Sequence, residues 1–493
     1  MSDITISNII FLLAIRTLGF WLQQWQIREY RWDRLRDHLF HTREGAQKLF
    51  NLWFFPGLLP RPKISGRIIL IIIIFCIFTA LELEIIFILM ALFQDRFFDL
   101  YTRIPFPLAI ITILWERSIF WLVASSVFIS KIPIFVLQQQ LFHRTKSIID
   151  QYPNIIRIGI TGSFGKSSTK EILVHLLISK FGAEHILYNP RNENNEVSIA
   201  RLITRSINNK IKIMVIEMGA YHKGEIQKVC NFVQPHIGII TGINDQHLSL
   251  FGSQKNIQET KFELAEAVSQ KIFFNSESPL LAEIFADKKI HATDIPISSS
   301  AAKNKTSHKD GTSFEIYGKK MLLPWRGEFF VQNALLAMEC AREFGITPDE
   351  MAQAISHLPP LQRALHEKKL NSGAILLSDP YSANPDGVLA AISELQKFPG
   401  RKIFVGIPLI ELGKNSKNAH EEIFYKLKTM KAEIFWLKSD YKKLGKSICK
   451  NNFFGKNIKK LKQISSELKT GDGILLESRL PQKIEHTFLK ILI

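Results

Sequence analysis

Little in this sequence is organised around cysteine. Its four, Cys76, Cys230, Cys340 and Cys449, lie far apart and form no C-x-x-C pair. That excludes a zinc ribbon and a disulfide framework, and it suits a reducing compartment. No collagenous or fixed-period repeat is present, so a repeat architecture is not expected. Acid is scarce relative to base: 45 Asp and Glu stand against 63 Lys and Arg, a formal charge of +18. Such an excess fits nucleic acid, anionic substrates or an anionic membrane face. No nucleic-acid recognition motif accompanies it, because the positive charge is spread over the flanks of apolar segments and the C-terminal helices. No nucleic-acid partner is therefore expected. At 493 residues the chain exceeds one typical core, and two or three domains are expected.

Apolar residues, by contrast, are concentrated near the N-terminus. Residues 9–22 are apolar apart from Arg16 and Thr17, and no small-residue cleavage site follows. An anchor or interfacial helix fits better than a removed signal. The next stretch, QWQIREYRWDRLRDHLFHTREGAQK, has the arginine and tryptophan content of a segment lying against lipid headgroups. Residues 68–93 form the longest apolar run, broken only by Glu82 and Glu84. A second candidate span, 105–129, is interrupted by Glu116 and Arg117. Intramembrane charges are expensive and face protein or a cavity, or mark a shallow re-entrant segment. The basic stretches 28–67 and 131–146 place both flanks in the cytoplasm. The expectation is a cell-membrane protein with about three transmembrane segments and cytoplasmic catalytic domains. The alternative is a buried, all-apolar helical domain, against which the isoleucine-rich RIILIIIIFCIF counts.

Beyond the linker FHRTKSIIDQYPN the pattern becomes alternating strands and helices, an α/β layer fold. A strand at 157–160 runs into TGSFGKSST, followed by a helix at 169–179. Gly162, Ser163, Gly165 and Lys166 give G-x-x-G-K rather than the longer Walker spacing, but the physics is that of a phosphate cradle. Glycines let backbone N–H groups turn toward an anion, and the helix N-terminus adds its dipole. Lys166 can reach the β- and γ-phosphates, and Ser167 or Ser168 can join a Mg²⁺ shell. A structural turn is the plainer alternative. A second strand, 212–218, carries Glu217 at its carboxyl end, which reads as a Walker-B-like acid for Mg²⁺ rather than an ordinary strand-end carboxylate. A third, 236–243, delivers Asn244, Asp245, Gln246 and His247, and its position gives His247 a metal or phosphate role. Ligands bind beyond the carboxyl ends of strands in open α/β sheets, so these three ends can share one crevice. Lys261, on a helix beside acids, reads from the residues alone as a solvated ion pair. The serine- and lysine-rich stretch 292–325 should supply small edge strands and a loop, with helices at 333–344 and 348–357.

Several motifs together resemble the Mur ligase family, ATP-dependent enzymes that form amide bonds. They are TGSFGKSSTKE, NENNE, VIEMGAYHKGEI, GINDQHLSLFGSQKNIQETKFELAEA, RGEFFVQNALLA, SDPYSANPDGVLAAI and IELG, spread over roughly residues 155–480. Within the family the chain is most similar to the member that adds a D-alanyl-D-alanine dipeptide. The resemblance implies a P-loop central domain of Mur ligase type at 146–358 and a Rossmann-like C-terminal domain at 359–493. These would be preceded by an α-helical membrane region at 1–145. It implies ATP and two Mg²⁺, with Lys166 on the phosphates, Ser167 near Mg²⁺, and Glu217 and His247 in the metal shell. Lys261 would be the family's carbamylated lysine, holding the second magnesium. Asn194, Asn195 and Glu196 would face the amino-sugar peptide substrate, and Asn333 would lie near the adenine. Arg363 and Asp379 would lie near the phosphates or ribose, and Tyr381, Asn384 and Pro385 would match a signature turn.

Departures from the family pattern are local except at the N-terminus. Gln362 replaces the usual glycine, Ser382 a usual asparagine, and Glu477 in LLESR a usual lysine; VGIPLIELG lacks the usual aspartate. Apolar segments occupy the place of the family's soluble UDP-gripping domain, so the nucleotide sugar is held differently or the substrate is membrane-linked. The implied reaction activates a carboxylate precursor, an amino-sugar peptide, as an acyl phosphate for attack by an amino acid or dipeptide amine. Wall-synthesis partners would accompany it. The alternatives are a membrane-attached ligase like the poly-γ-glutamate synthases, one like the folate-polyglutamate ligases, or a non-catalytic ATP-binding scaffold.

Overall fold

Local sequence pattern accounts for most of the elements in the computed structural model. It describes residues 15, 17–27, 30, 32, 35, 62–92, 107–190, 193–244, 248–308, 311–359, 366–379, 385–409, 412 and 415–477. The chain divides into two compact units, Met1–Gln140 and Leu141–Ile493.

In the first unit the apolar runs are helices: α1 (Gly66–Leu92), and α2 (Pro107–Asp150), which continues into the second unit. Phe20, Trp21, Leu22 and Trp25 of the helical stretch 17–27 pack with Ile68 and Ile71 of α1 and Ile119, Val123 and Val127 of α2. The outer faces stay apolar. Ile69, Ile73, Ile77, Leu81, Ile85 and Ile88 are about half exposed along α1, and Trp121 (68%), Ile132 (66%) and Leu137 (63%) are still more so on α2. Leaving such side chains in water costs each about 1.5–3 kcal/mol relative to burial. Among the described residues of the second unit the exposed large apolar side chains are Ile156, Leu322, Phe329 and Tyr425. One helical stretch among the described residues, Ser118–Asp150, is long and apolar enough to cross a membrane, with mean hydropathy 2.0. It extends beyond the expected end at 129 because KIPIFVL remains apolar, with Pro133 inside the helix. Helix α1 covers residues 68–92 of the expected run 68–93; residue 93, and residues 9–14 and 16 of the first apolar stretch, lie outside the described residues.

The second unit opens with β1 (Ile156–Thr161), α3 (Lys166–Phe181), β2 (Ile186–Tyr188), α4 (Glu196–Ser206), β3 (Ile213–Glu217), α5 (Glu225–Val233) and β4 (Ile237–Ile240). Then come α6 (Gln254–Ala267), β5 (Lys271–Asn275) and β6 (Thr293–Ile297). The six strands form one parallel sheet in the order β2-β3-β1-β4-β5-β6. Helices cover both faces, which is why the strands read as nearly unbroken apolar runs. Ile158 and Ile160 of β1 lie in the core of one face, and Met214 and Ile216 of β3 in the other. The order sets β3 and β4 on either side of β1, so the three expected strand ends are neighbours.

The stretch 292–325 supplies β6 and a separate antiparallel sheet of β7 (Lys303–His308), β8 (Gly311–Ile316) and β9 (Lys319–Leu323). Helices α7 (Phe329–Arg342) and α8 (Pro348–Ser356) follow, the latter held by a Thr347–Glu350 capping box. A third sheet runs β10-β11-β14-β12-β13, from β10 (His366–Lys369), β11 (Ile375–Asp379), β12 (Lys402–Gly406), β13 (Glu433–Trp436) and β14 (Gly473–Glu477). Its strands are parallel except β10, which pairs antiparallel with β11 at the edge. Helices α9 (Pro385–Gln396) and α10 (Ser416–Thr429) cover one face.

Candidate active site

The loop between β1 and α3 closes around two glycines with left-handed or near-extended positive φ, Gly162 (+147°) and Gly165 (+76°). A Cβ at Gly162 would overlap Thr241 Oγ1, and one at Gly165 would overlap Asn333 Oδ1. Only glycine fits at either position. The loop is tied to β4 by Ser163 N–H donating to Gly242 O at 2.7 Å and by the Thr241 hydroxyl donating to Phe164 O. Behind it, Asn333 Nδ2 donates to Ser168 Oγ at 2.9 Å, and Ser168 donates to Gly165 O at 3.0 Å. Helix α3 begins at Lys166, three residues earlier than the pattern suggested, with no side chain capping its N-terminus. The first N–H groups of a helix lack intrahelical partners and favour an anion.

Lys166 folds back onto this loop, donating to Gly162 O at 2.6 Å and Ser163 O at 3.1 Å. Desolvation pulls its pKa down, while the Glu217 carboxylate acts the other way. Glu217, 1% exposed at the end of β3, accepts from Ser167 Oγ at 3.1 and 3.0 Å and from Asn194 Nδ2 at 2.9 Å. Three segments thus meet at one carboxylate. Asn195 caps α4, its Oδ1 accepting from Ser198 N–H at 3.0 Å, and Glu196 opens that helix. Two further residues at this point were given no role by the sequence. Asn189, fully buried, clamps the Glu217 peptide group, and Lys170, also fully buried, lies 3.5 Å from Glu217 Oε2. A lysine in TKE looks like any solvated helical lysine until its burial is known.

Lys261 is not the solvated ion pair its local sequence suggests. It is 3% exposed on α6, with its ammonium 5.7 Å from the Phe251 ring centroid. Burial, then the Lys166 cation, bring its pKa down to about 7, against the pull of Glu225 and Glu263. Both acids are themselves held: Glu263 accepts from Gly224 and Gln227 N–H at 2.6 and 2.9 Å, and Glu225 from Tyr221 N–H at 2.7 Å. The crevice is joined to the third sheet's side by Asn244 Nδ2 donating to Asp386 Oδ2 at 2.6 Å. Asp379 ends β11 opposite Glu477 of β14. His247, Arg363, Tyr381 and Asn384 lie outside the described residues.

The donor chemistry here is all oxygen for a metal and N–H plus ammonium for an anion. Ser167 and Glu217 fit a magnesium ion, which keeps several waters and shares phosphate oxygens rather than needing an all-protein cage. No group of three or more His, Cys, Asp or Glu side chains placed to hold a metal occurs among the described residues. The Mur ligase middle domain family matches residues 160–341.

Residues 160–341 thus resemble a Mur ligase middle domain.

Relatives similar to it include the UDP-N-acetylmuramoyl-tripeptide–D-alanyl-D-alanine ligases of Bacillus subtilis (strain 168) and Escherichia coli (strain K12). The first is 28% identical over 273 residues, covering 54% of this chain and 58% of that enzyme. The second is 26% identical over 277 residues, covering 54% of this chain and 60% of that enzyme. The chain thus spans little more than half the length of these relatives. Among solved structures, MurF from Acinetobacter baumannii is similar with TM-score 0.62 and 22% identity, covering 72% of this chain and 80% of that one. MurF ligase from Thermotoga maritima in complex with ADP gives TM-score 0.62 and 22% identity, covering 72% and 83%. The Mur ligase fold therefore extends past the middle domain: a parallel central sheet, with its phosphate-type loop at β1, is followed by a second, mostly parallel sheet.

Proposed function

We propose that the chain is an ATP-dependent ligase joining the amine of D-alanyl-D-alanine to the terminal carboxylate of UDP-N-acetylmuramoyl-tripeptide. The observation that carries it is the glycine loop with Lys166 folded onto it, next to the buried Glu217 on which Ser167 and Asn194 meet, together with relatives that bear that activity in their names.

In this reading the N–H groups at the start of α3 and the Lys166 ammonium receive the ATP phosphates, the ammonium exchanging the Gly162 and Ser163 carbonyls for phosphate oxygens. Ser167 and Glu217 would hold Mg²⁺, which when bound neutralises phosphate charge. Asn333 supports the loop at Gly165 and Ser168 and would lie near the adenine; Arg363 and Asp379 would serve the nucleotide's phosphates or ribose. Asn194 and Glu196 face the peptide precursor, with Asn195 holding the start of α4. Tyr381 and Asn384 belong to the second substrate's side. The precursor carboxylate oxygen takes the γ-phosphoryl group of ATP, releasing ADP; the dipeptide amine then attacks the acyl carbon, and the C–O bond breaks to release inorganic phosphate and the amine's proton. Exclusion of water from the crevice protects that step.

Lys261 takes CO₂ as a carbamate, and with His247 it would hold a second magnesium. A carbamate forms from the neutral amine, and a pKa of about 7 leaves a large neutral fraction at neutral pH. The three-part division at 146 and 359 follows the same reading. The outward apolar faces of α1 and α2 support attachment to the cell membrane, with the catalytic unit on the cytoplasmic side and other wall-synthesis proteins as neighbours. Incubation of the full chain with ATP, Mg²⁺, UDP-N-acetylmuramoyl-tripeptide and D-alanyl-D-alanine should give ADP and a UDP-linked pentapeptide by mass spectrometry. Absence of ADP formation with that pair would overturn the assignment.

A further inference from the structure

A lysine without an assigned role sits beside the candidate metal acid. Lys170 lies one helical turn beyond Lys166 and is fully buried. Its Nζ donates to Asn189 O at 2.9 Å and lies 3.5 Å from Glu217 Oε2 and 3.2 Å from Glu171 Oε1. Asn189 is equally buried. Its Oδ1 accepts from Glu217 N–H at 2.8 Å, and its Nδ2 donates to Glu217 O and Glu193 O, both at 3.0 Å. Lys170 therefore grips Glu217 twice: directly at the carboxylate, and through Asn189 at the peptide group. Asn189 and Asn194 are close in sequence, so the same contacts hold Asn189, Glu193 and Asn194 against the end of β3.

A buried ammonium is expensive, and an apolar side chain of similar volume would fill the space at less cost. What a methionine could not supply is charge. Glu217 is a single carboxylate facing Lys170, with the Lys166 ammonium close enough to interact with it. Its negative charge is already matched by the protein. With the partly exposed Glu171 also touching Lys170, a dication arriving alone would meet two ammonium groups and two carboxylates, a site without net negative charge to attract it; a dication arriving with a nucleotide brings its own phosphate charge.

We propose that Lys170 is a positioning residue, a fixed internal counter-cation for Glu217, that makes capture of the divalent ion depend on the nucleotide's phosphates. This rests on the reading of Glu217 as the metal acid. Mn²⁺ binding to the full chain, followed by electron paramagnetic resonance with and without ADP, tests it without recourse to activity. The nucleotide-free wild type should hold Mn²⁺ only weakly. Lys170→Met, checked for folding by circular dichroism, should hold nucleotide-free Mn²⁺ at least about tenfold more tightly, the factor that about 1.4 kcal/mol of lost repulsion carries. Adding Glu217→Gln should erase that gain. A folded Lys170→Met with unchanged or weaker Mn²⁺ affinity overturns the proposal. So does tight nucleotide-free binding to the wild type that Glu217→Gln removes, a result that decides the matter even if Lys170→Met fails to fold. If no protein-bound Mn²⁺ appears even with ADP, the reading of Glu217 as metal acid fails and this inference falls with it. Nucleotide-dependent binding to the wild type together with failure of the ligation assay would leave this inference standing and the substrate assignment refuted.

Discussion

Replacing Lys261 by methionine should make the protein more stable and inactive. The stability change can be worked from the structure. Burial and Lys166 lower the Lys261 pKa from its ordinary 10.5 to about 7. A gap of about 3.5 corresponds to roughly 5 kcal/mol at 1.36 kcal/mol for each pH unit. The attraction of Glu225 and Glu263 is already inside that figure. The sign follows from proton counts. Between pH 7 and 10.5 the unfolded chain keeps the Lys261 proton and the folded chain has released it, so stability rises with pH across that window. Below pH 7 both states are protonated and the folded state bears the full penalty. Methionine fills the same volume with no such penalty. The gain from Lys261→Met should therefore approach about 5 kcal/mol at pH 6.5 and shrink to about 3 kcal/mol at pH 8.5. Urea unfolding of the full chain in CO₂-free buffer at the two pH values measures both. A variant less stable than the wild type, or a gain that does not change with pH, would refute the buried, readily neutralised lysine. Ligation should be lost at both pH values.

Gly162→Ala forces a Cβ onto Thr241 Oγ1 at φ +147°, a strain of about 1–3 kcal/mol; ADP affinity by calorimetry should fall about tenfold or more, and wild-type affinity would contradict the cradle. Ser167→Ala removes the hydroxyl that meets both Glu217 oxygens, so the Mg²⁺ needed for half-maximal activity should rise several-fold while the melting temperature holds; an unchanged Mg²⁺ curve would count against a role in the metal shell. Glu394→Gln weakens a buried carboxylate that accepts from Arg326 Nε at 3.2 Å, Ser307 Oγ at 3.1 Å and Lys397 Nζ at 2.8 Å; unfolding measurements should show a loss of about 2–4 kcal/mol, and a neutral substitution would mean this network adds little. Alkaline carbonate extraction of cell membranes should leave the full chain in the pellet, because α1 and α2 turn apolar faces outward; full release would contradict membrane insertion.

The parts of the site that could be read from sequence are those whose cause is local. Glycines at 162 and 165 with Lys166 next to them announce a turn and a helix start, and the β1, β3 and β4 runs announce strands whose ends converge. The sheet order that makes them neighbours is a matter of chain topology, yet the P-loop reading anticipated its consequence. What could not be read depends on burial. Lys170 and Lys261 both sit in helical sequence beside glutamates, and nothing in TKE or ETKFE distinguishes a solvated ammonium from one enclosed by the fold. Resemblance to a family supplied Lys261 a role, but gave none to Lys170, although it stands in TGSFGKSSTKE. Asn189 was likewise hidden, because its work is done on the backbone of a residue 28 positions away. The β10 edge strand, HEKK, has no apolar alternation and owes its conformation to pairing with β11. Start and end of α3 also moved, since the uncapped helix begins within the glycine turn itself.

Transfer of ¹⁸O from substrate to phosphate tests the central claim most directly. UDP-N-acetylmuramoyl-tripeptide labelled with ¹⁸O in its terminal carboxylate is incubated with the full chain, ATP, Mg²⁺ and D-alanyl-D-alanine. An acyl phosphate carries one carboxylate oxygen to phosphorus, and amine attack releases it there. The account predicts one ¹⁸O in inorganic phosphate for each amide bond formed. Phosphate released without label, or ATP consumed without amide, would contradict it.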